Sequence, residues 1–522
     1  MADLQIALLV GLLVAIPLVA LARRVEVPYP IVLVLGGLAL GFVPGLPKVH
    51  LEPNLVLLIF LPPLLYWEAV TAPTDVMLAN SVQIGNLAIG LVLATTIVVA
   101  VAAHAVVPGM PWAAAFVLGA IVAPTDELAS APILERFRLP RHLIAIVEGE
   151  SLVNDALSLV LYAAAITVAT TGVFHLGRVL LYIVVAAAGA IAIGLVVGRA
   201  AIEGWRRIAD AQLQGVVSLL IPYFGYLPAD RLGLSGVLAV VTAGVYTSRE
   251  SPELLTPATR LAGIGFWETS VFLANAVLFF LVGVQLHEIA PVVFAHYSWA
   301  AVIWYAVAVN AVVIATRFVW VLGTEFVPFV GASSEHQAPD WKHAVIASWS
   351  GFRGAVSLAA ALAIPTALAS GAPFPNRELI IFLTFSVILV TLVGGGFTLP
   401  AAIRALRPAG ERDEEAEELR HAITGIATAA LQRVDALERE GGIDSHHAGT
   451  LRRRYERKLR LAGDEPNRDE IDDDRRDAEA ERDVIAAERR ALIEMHRNGE
   501  IDNVVLRRVQ RSLDLADQRT RR

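Results

Sequence analysis

The chain has 522 residues, 56% of them hydrophobic and 18% charged, and its mean hydropathy is +0.60. A soluble fold of this length cannot cover so much apolar surface, which excludes a string of soluble domains. Residues 407–522 hold 52 of the 92 charged side chains, so the chain divides into a membrane domain, 1–406, and a charge-dense soluble C-terminal domain, 407–522. The net charge of −8 falls equally on the two parts and gives no basic footprint for nucleic acid. There is no cysteine, which excludes disulfides, thiolate catalysis and Cys-ligated metal centres.

In chain order, the apolar run Leu4–Ala22 comes first. Asp3 stands where a signal peptide needs a basic region, so this run is expected to remain as the first membrane helix. A span needs about 20 mostly apolar residues. Further spans are predicted to start near Pro30, Asn54, Ile84, Trp112, Leu143, Arg178, Gln214, Leu234, Glu268, Trp299, His343 and Glu378. That makes thirteen. With the N-terminus outside, the cytoplasmic loops carry twelve basic residues and the outer loops four, the bias expected of inward-facing positive charge. An odd count also puts the charged C-terminal domain in the cytoplasm. There, Ala422–Leu437 and Val484–Met495 have helical apolar spacing, Asp464–Asp477 reads as a loop, and Val504–Leu515 as a last short helix.

Ionisable groups inside spans are costly and are candidates for function. Span three contains LIFLPPLLYWEAV, with Glu68 towards its end. Span five reads AFVLGAIVAPTDELASAPIL. Pro124 lacks an N–H and obstructs the preceding turn, so the helix is predicted to break at Ala123–Asp126, exposing Thr125, Asp126 and Glu127 mid-span. Span six carries Glu148, Glu150, Ser151, Asn154 and Asp155 within two turns. Helical spacing puts Glu148, Ser151 and Asp155 on one face, with Glu150 and Asn154 on the adjoining strip. In span eleven Arg317 is surrounded by apolar residues and needs a buried anion, for which Glu150 is a candidate. In span twelve, Gly351 and Gly354 flank Arg353 and predict a second interruption. Two interrupted spans seven apart are the layout of inverted repeats around a midplane site.

Other chemistries fit less well. HEIAP at His287 lacks a second His at i+4, there is no phosphate-binding glycine loop with Lys, and GESLV has Val153 where a nucleophile elbow needs Gly. Asp126 and Asp155 leave room for an intramembrane aspartyl hydrolase, and a passive channel or sensor also stays open.

With these residues in view, the membrane domain resembles the bacterial cation:proton antiporters of the monovalent cation/proton antiporter-1 type, relatives of the archaeal and mammalian sodium/proton exchangers. The matching motifs are FLPPLLYWEA (Phe60–Ala69), APTDELA (Ala123–Ala129), ILERFRLPRHL (Ile133–Leu143), EGESLVNDALSLVLY (Glu148–Tyr162), ATR (Ala315–Arg317) and GFRGAVSLAAALAIP (Gly351–Pro365). The resemblance implies an all-α polytopic membrane protein of about thirteen helices with inverted repeats and two broken crossing helices, forming a homodimer in the plasma (inner) membrane. Asp155 matches the essential ion- and proton-binding aspartate. Asn154 matches its neighbour, an aspartate in electrogenic relatives. Ser151, Asp126 and the Thr125 main chain match other ion ligands, and Glu150 and Arg317 match a buried ion pair. Pro124 and Arg353 mark the breaks. Two positions depart from the family pattern. Glu127 follows Asp126 where the family often has proline. The family's helix-three acid falls at Trp67, with Glu68 one residue and about 100° further round; Glu68 is kept as a candidate. The implied activity is exchange of H+ for Na+, K+ or Li+, electroneutral with a single titrating aspartate. No cofactor is expected, because hard oxygen ligands suit alkali cations. A regulator of the C-terminal domain is left unidentified.

Overall fold

The computed structural model describes residues 2–25, 27–42, 53–127, 130–172, 174–208, 210–325, 341–368, 370–406 and 412–461, and beyond these residues 476, 483–488, 490–495, 498, 509, 510 and 513. Among the described residues it is all helix, with two isolated β-bridges and no strand. The chain forms two compact units, Met1–Gly410 and Glu411–Arg522.

Among its described residues the first unit holds sixteen helices. They are α1 (Ala2–Arg24), α2 (Tyr29–Gly41), α3 (Pro53–Thr71), the short α4 (Thr74–Ala79), α5 (Ser81–Val106), α6 (Trp112–Val122), α7 (Ala131–Arg136), α8 (Arg141–Thr171), α9 (Leu176–Arg207), α10 (Ala211–Arg231), α11 (Gly236–Leu254), α12 (Pro257–His296), α13 (Trp299–Glu325), α14 (Trp341–Trp349), α15 (Ala355–Leu362) and α16 (Arg377–Leu406). A helix or a pair of half-helices lies at or beside each predicted start. Six of them, α5, α8, α9, α12, α13 and α16, are long and apolar enough to cross a membrane. The start near Glu268 needs correction. The helix begins at Pro257, capped by the Thr256 hydroxyl accepting from Thr259 N at 3.2 Å, and runs 40 residues, about 60 Å.

Packing follows membrane rules. Where lipid gives no hydrophobic drive between helices, small residues let backbones approach. A Cβ on Gly37 would overlap the Phe280 carbonyl oxygen, and one on Gly283 the Val34 carbonyl oxygen, so α2 and α12 touch main chain to main chain. Ala190, Ala229 and Ala239 do the same service between α9, α10 and α11. Outward faces stay apolar, as with Leu181, Val184 and Val196 on α9 and Ile303, Trp304 and Val307 on α13. Two helices carry a π-turn, Asn86–Leu91 in α5 and Val390–Gly394 in α16; such single turns often sit at functional sites. The second falls beside the site described below.

In the second unit, α17 (Arg412–Arg439) and α18 (Ser445–Leu461) form a hairpin turned at Gly441, where φ is +73°. Arg452 ties them through Asp435 at 2.6 Å and Glu438 at 3.0 Å. Residues 483–488 and 490–495 are helical, within the predicted Val484–Met495 segment. Apart from residues 476, 509, 510 and 513, the predicted loop Asp464–Asp477 and helix Val504–Leu515 lie outside the described residues.

Candidate ion-binding site

The site begins where two helices stop. Helix α6 ends at Val122 and the chain stays non-helical through Glu127, with α7 starting at Ala131. Pro124 accounts for this: it has no N–H, and its ring disfavours helix for the residue before it. Helix α14 ends at Trp349 and α15 starts at Ala355, with Gly351 and Gly354 in the gap. The two gaps meet. Asp126 N donates to the Phe352 carbonyl at 2.8 Å, forming an antiparallel bridge. Backbone released from a helix inside a membrane must find partners in protein or a cavity, and here each break supplies the other.

The glycines make room for side chains. A Cβ on Gly354 would overlap the Asp126 carboxylate, and one on Gly351 the Arg317 guanidinium. Both buried arginines then face exposed helix ends. Arg317 donates to the carbonyls of Ala347 and Ser348, the last turn of α14. Arg353 donates from Nε to the Val122 carbonyl at 3.1 Å, the end of α6, and from Nη1 to the Gly351 carbonyl. Its own N–H donates to Thr391 Oγ1 at 3.1 Å, in the π-turn of α16. Cations at helix C-termini complement the partial negative charge there. The sequence pointed to Arg353 as a mark of the break; its role in closing α6 was not legible.

Arg317 and Glu150 are both 2% exposed and pair bidentately, with Nη2 to Oε2 at 2.9 Å. Thr125 extends the pair. Its hydroxyl donates to Glu150 Oε1 at 3.1 Å and accepts from Asn154 Nδ2 at 2.9 Å. Its carbonyl accepts from the Ser151 hydroxyl at 2.9 Å. So Glu150, Ser151 and Asn154 of α8 all fasten onto the first break. The Asn154 amide oxygen, in a fully buried residue, has no partner among the described residues.

Asp155 differs. It is 4% exposed, and among the described residues its carboxylate has no hydrogen-bond partner. Asp126 and Glu68 lie within electrostatic reach of it. Glu68 reaches this cluster. The Trp67 ring stacks on Trp267 of α12, centroids 6.1 Å apart and 9° from parallel, while Glu68 lies within electrostatic reach of Asp126. Three groups were not among the predicted ligands. Glu127 lies within reach of Glu68, Glu148, Asp126 and Asp155, with Oε2 buried and, among the described residues, unpartnered. Tyr29 of α2 lies near Asp126 and beside Asn275 of α12, whose side chain is fully buried. A lone amide in an apolar span was the available signal for Asn275. Among the described residues, no three His, Asp or Glu side chains converge as a metal centre. The set instead offers scattered carboxylates, a hydroxyl, an amide oxygen and main-chain carbonyls, the donor types suited to a weakly held alkali cation.

Residues 8–405 match the model of the transmembrane sodium/hydrogen exchanger family. An uncharacterised Na(+)/H(+) exchanger of Mycobacterium tuberculosis is 36% identical, over 98% of this chain and 96% of that protein. A sodium, potassium, lithium and rubidium/H(+) antiporter of Bacillus subtilis is 34% identical, over 74% of this chain and 60% of that protein. The fold is similar to that of the sodium proton antiporter MjNhaP1 from Methanocaldococcus jannaschii, with a TM-score of 0.61, 20% identity, and coverage of 78% of this chain and 98% of that one. The chain belongs to the sodium/hydrogen exchanger family. It is a multi-pass membrane transporter of the cation:proton antiporter type and not an enzyme.

Proposed function

We propose that the protein exchanges H+ for Na+, K+ or Li+ across the plasma (inner) membrane, one proton for one cation, by competition at Asp155. The observation that carries this is a carboxylate 4% exposed and without a hydrogen-bond partner among the described residues, beside two crossed helix breaks. A bare carboxylate in a dry core is heavily penalised, by several kcal/mol even after relaxation. Loaded with a proton or a cation, it is far cheaper to carry through an occluded state. The empty charged site is therefore the state that does not cross, and exchange becomes obligatory. Asp126, the Ser151 hydroxyl, the Thr125 carbonyl and Glu68 complete the cation's ligands, with water. Asn154, engaged with the Thr125 hydroxyl, is a neutral amide that carries no second charge, which supports electroneutral exchange. The name of the Bacillus subtilis relative supports a broad alkali-cation range. The wider reading has thirteen crossings in inverted repeats, an outer N-terminus, a cytoplasmic C-terminal domain, a homodimer and a role in pH homeostasis. It is supported by the helix order, the loop charge bias and the family.

The test is reconstitution in liposomes with a trapped pH dye. With an inward-acidic gradient, adding Na+, K+ or Li+ outside is expected to alkalinise the lumen, and Asp155→Asn to abolish the response. On a supported membrane the exchange is expected to carry no current. Silence with every cation over about pH 6–9, a window around raised carboxylate values, rejects antiport. A clear current rejects one-for-one stoichiometry.

A further inference from the structure

Among the described residues, the Glu127 side chain makes no hydrogen bond through Oε2, which is shut from solvent. Its main chain does bond: the Glu127 carbonyl accepts from Ser130 N at 2.9 Å and Ala131 N at 2.8 Å, setting the entry to α7. The charged groups around its carboxylate are Glu68 of α3, Glu148 and Asp155 of α8, and Asp126 of the same break. All four groups acting on it are acids. Of the two arginines buried beside the breaks, Arg317 is committed to Glu150, and Arg353 to the carbonyls of Val122 and Gly351.

These acids form a graded series. Glu135 on α7 is exposed and lies within reach of Glu148, which is half-buried. Glu148 lies within reach of Glu127, and Glu127 within reach of Asp155, which is 4% exposed. Glu148 and Asp155 share a face of α8 but stand seven residues apart, about 10 Å along the axis, too far for one ion to touch both. Glu127 comes from the break and lies within electrostatic reach of both. The fully buried, unpartnered amide oxygen of Asn154 adds a neutral acceptor on a side chain anchored to the same break.

We propose that Glu127 is a further ion-binding residue of this exchanger, a relay carboxylate that passes alkali cations and protons between Glu148, at the end bearing the Arg136–Arg141 loop, and Asp155. The proposal rests on the antiport reading above. A dehydrating cation meets successive negative posts instead of a gap, which raises its local concentration and rate of entry. No covalent step is involved, and Glu127 need not be the residue whose loading permits the carrier to move.

The experiment is a Na+ and K+ titration of exchange in proteoliposomes of the full chain, comparing wild type, Glu127→Gln, Glu148→Gln and Asp155→Asn. Glu127→Gln is expected to raise the apparent KM for cation about tenfold, the low end of electrostatic focusing, while maximal exchange stays near wild type. Glu148→Gln should shift KM in the same direction by less. Active wild type, dead Asp155→Asn and a wild-type KM for Glu127→Gln would overturn the relay and leave antiport standing. A lowered maximum with unchanged KM would also overturn it, because that marks a structural role. Should Glu127→Gln fail to fold, Glu148→Gln decides: a wild-type KM there rejects the relay. A silent wild type rejects the antiport reading and the relay together.

Discussion

Glu150 and Asp155 stand five residues apart on α8, both buried, and the fold treats them in opposite ways. Glu150 receives a bidentate arginine and a threonine hydroxyl. The Asp155 carboxylate receives no hydrogen bond among the described residues and has other acids for neighbours. Burying a charge is tolerable only when it is paired and hydrogen-bonded. The first neighbourhood meets that condition from within the protein. The second leaves it to be met by a proton or a cation, which is what a carrier needs. Because both are on one rigid helix, the paired strip positions the open one: Thr125 holds Glu150, Asn154 and Ser151, and Asp126 follows it directly in the chain.

The comparison breaks most readily at its paired side. Glu150→Ala strands Arg317 in the core, and removing one partner of a buried pair costs about 3–5 kcal/mol. The expected result is a large drop in the thermal midpoint of the purified protein. Replacing both residues by apolar ones, as in Glu150→Leu with Arg317→Met, should recover much of that loss, because the pair itself is close to neutral against apolar packing. An unchanged midpoint for Glu150→Ala would mean the arginine finds another anion, and the contrast between the two strips would fall.

A smaller effect is expected where the open side meets the second break. Gly354→Ala places a methyl group on the Asp126 carboxylate. Overpacking of this kind costs about 1–3 kcal/mol, less than the broken pair, but it displaces a proposed ion ligand. Transport should therefore suffer more than stability. A variant that melts lower yet exchanges normally would remove Asp126 from the site.

Much of this arrangement was legible in the sequence, for physical reasons that can be named. Pro124 must end a helix, and Gly351 and Gly354 around a buried arginine invite a break. Arg317 required an anion, and Glu150 was the acid nearest in character. What was hidden depends on three-dimensional packing. Helical rotation put Glu68 off the site by about 100°, yet Trp67 stacks on Trp267 and Glu68 lies within electrostatic reach of Asp126. Arg353 was visible as a charge but not as the donor that closes α6. Glu127 was noticed as a departure at the break, but only the fold shows that its carboxylate points among four others. Asn275 sits within a long apolar run, and its neighbour Tyr29 comes from a helix more than two hundred residues earlier.

The smallest expected effect extends the comparison to a charge in water. Asp444 precedes α18 and accepts from His447 N at 2.7 Å through Oδ1, and faces His447 Nδ1 at 2.9 Å through Oδ2. The backbone hydrogen bond, then the side-chain one, hold its carboxyl below the ordinary 3.8. A depressed folded value means the ionised form is the one the fold favours. The contribution is complete at neutral pH, fades as pH falls below the ordinary value, and is gone beneath the folded one. Because the carboxylate is exposed, solvent screens it, and the effect is local to the first turn of the helix. Asp444→Ala should speed hydrogen exchange of the amides at His447 and Ala448 and leave transport unchanged. Asp444→Asn should keep most of the protection, since asparagine caps equally well, and should lose the acid dependence. Here the contrast is with Asp155: a carboxylate that gains its partners from the backbone stabilises the fold by staying charged, whereas one denied them is, in the proposed exchange, the one that trades a proton for a cation. Protection at these amides that is indifferent to Asp444→Ala would show that the helix start is held by something else.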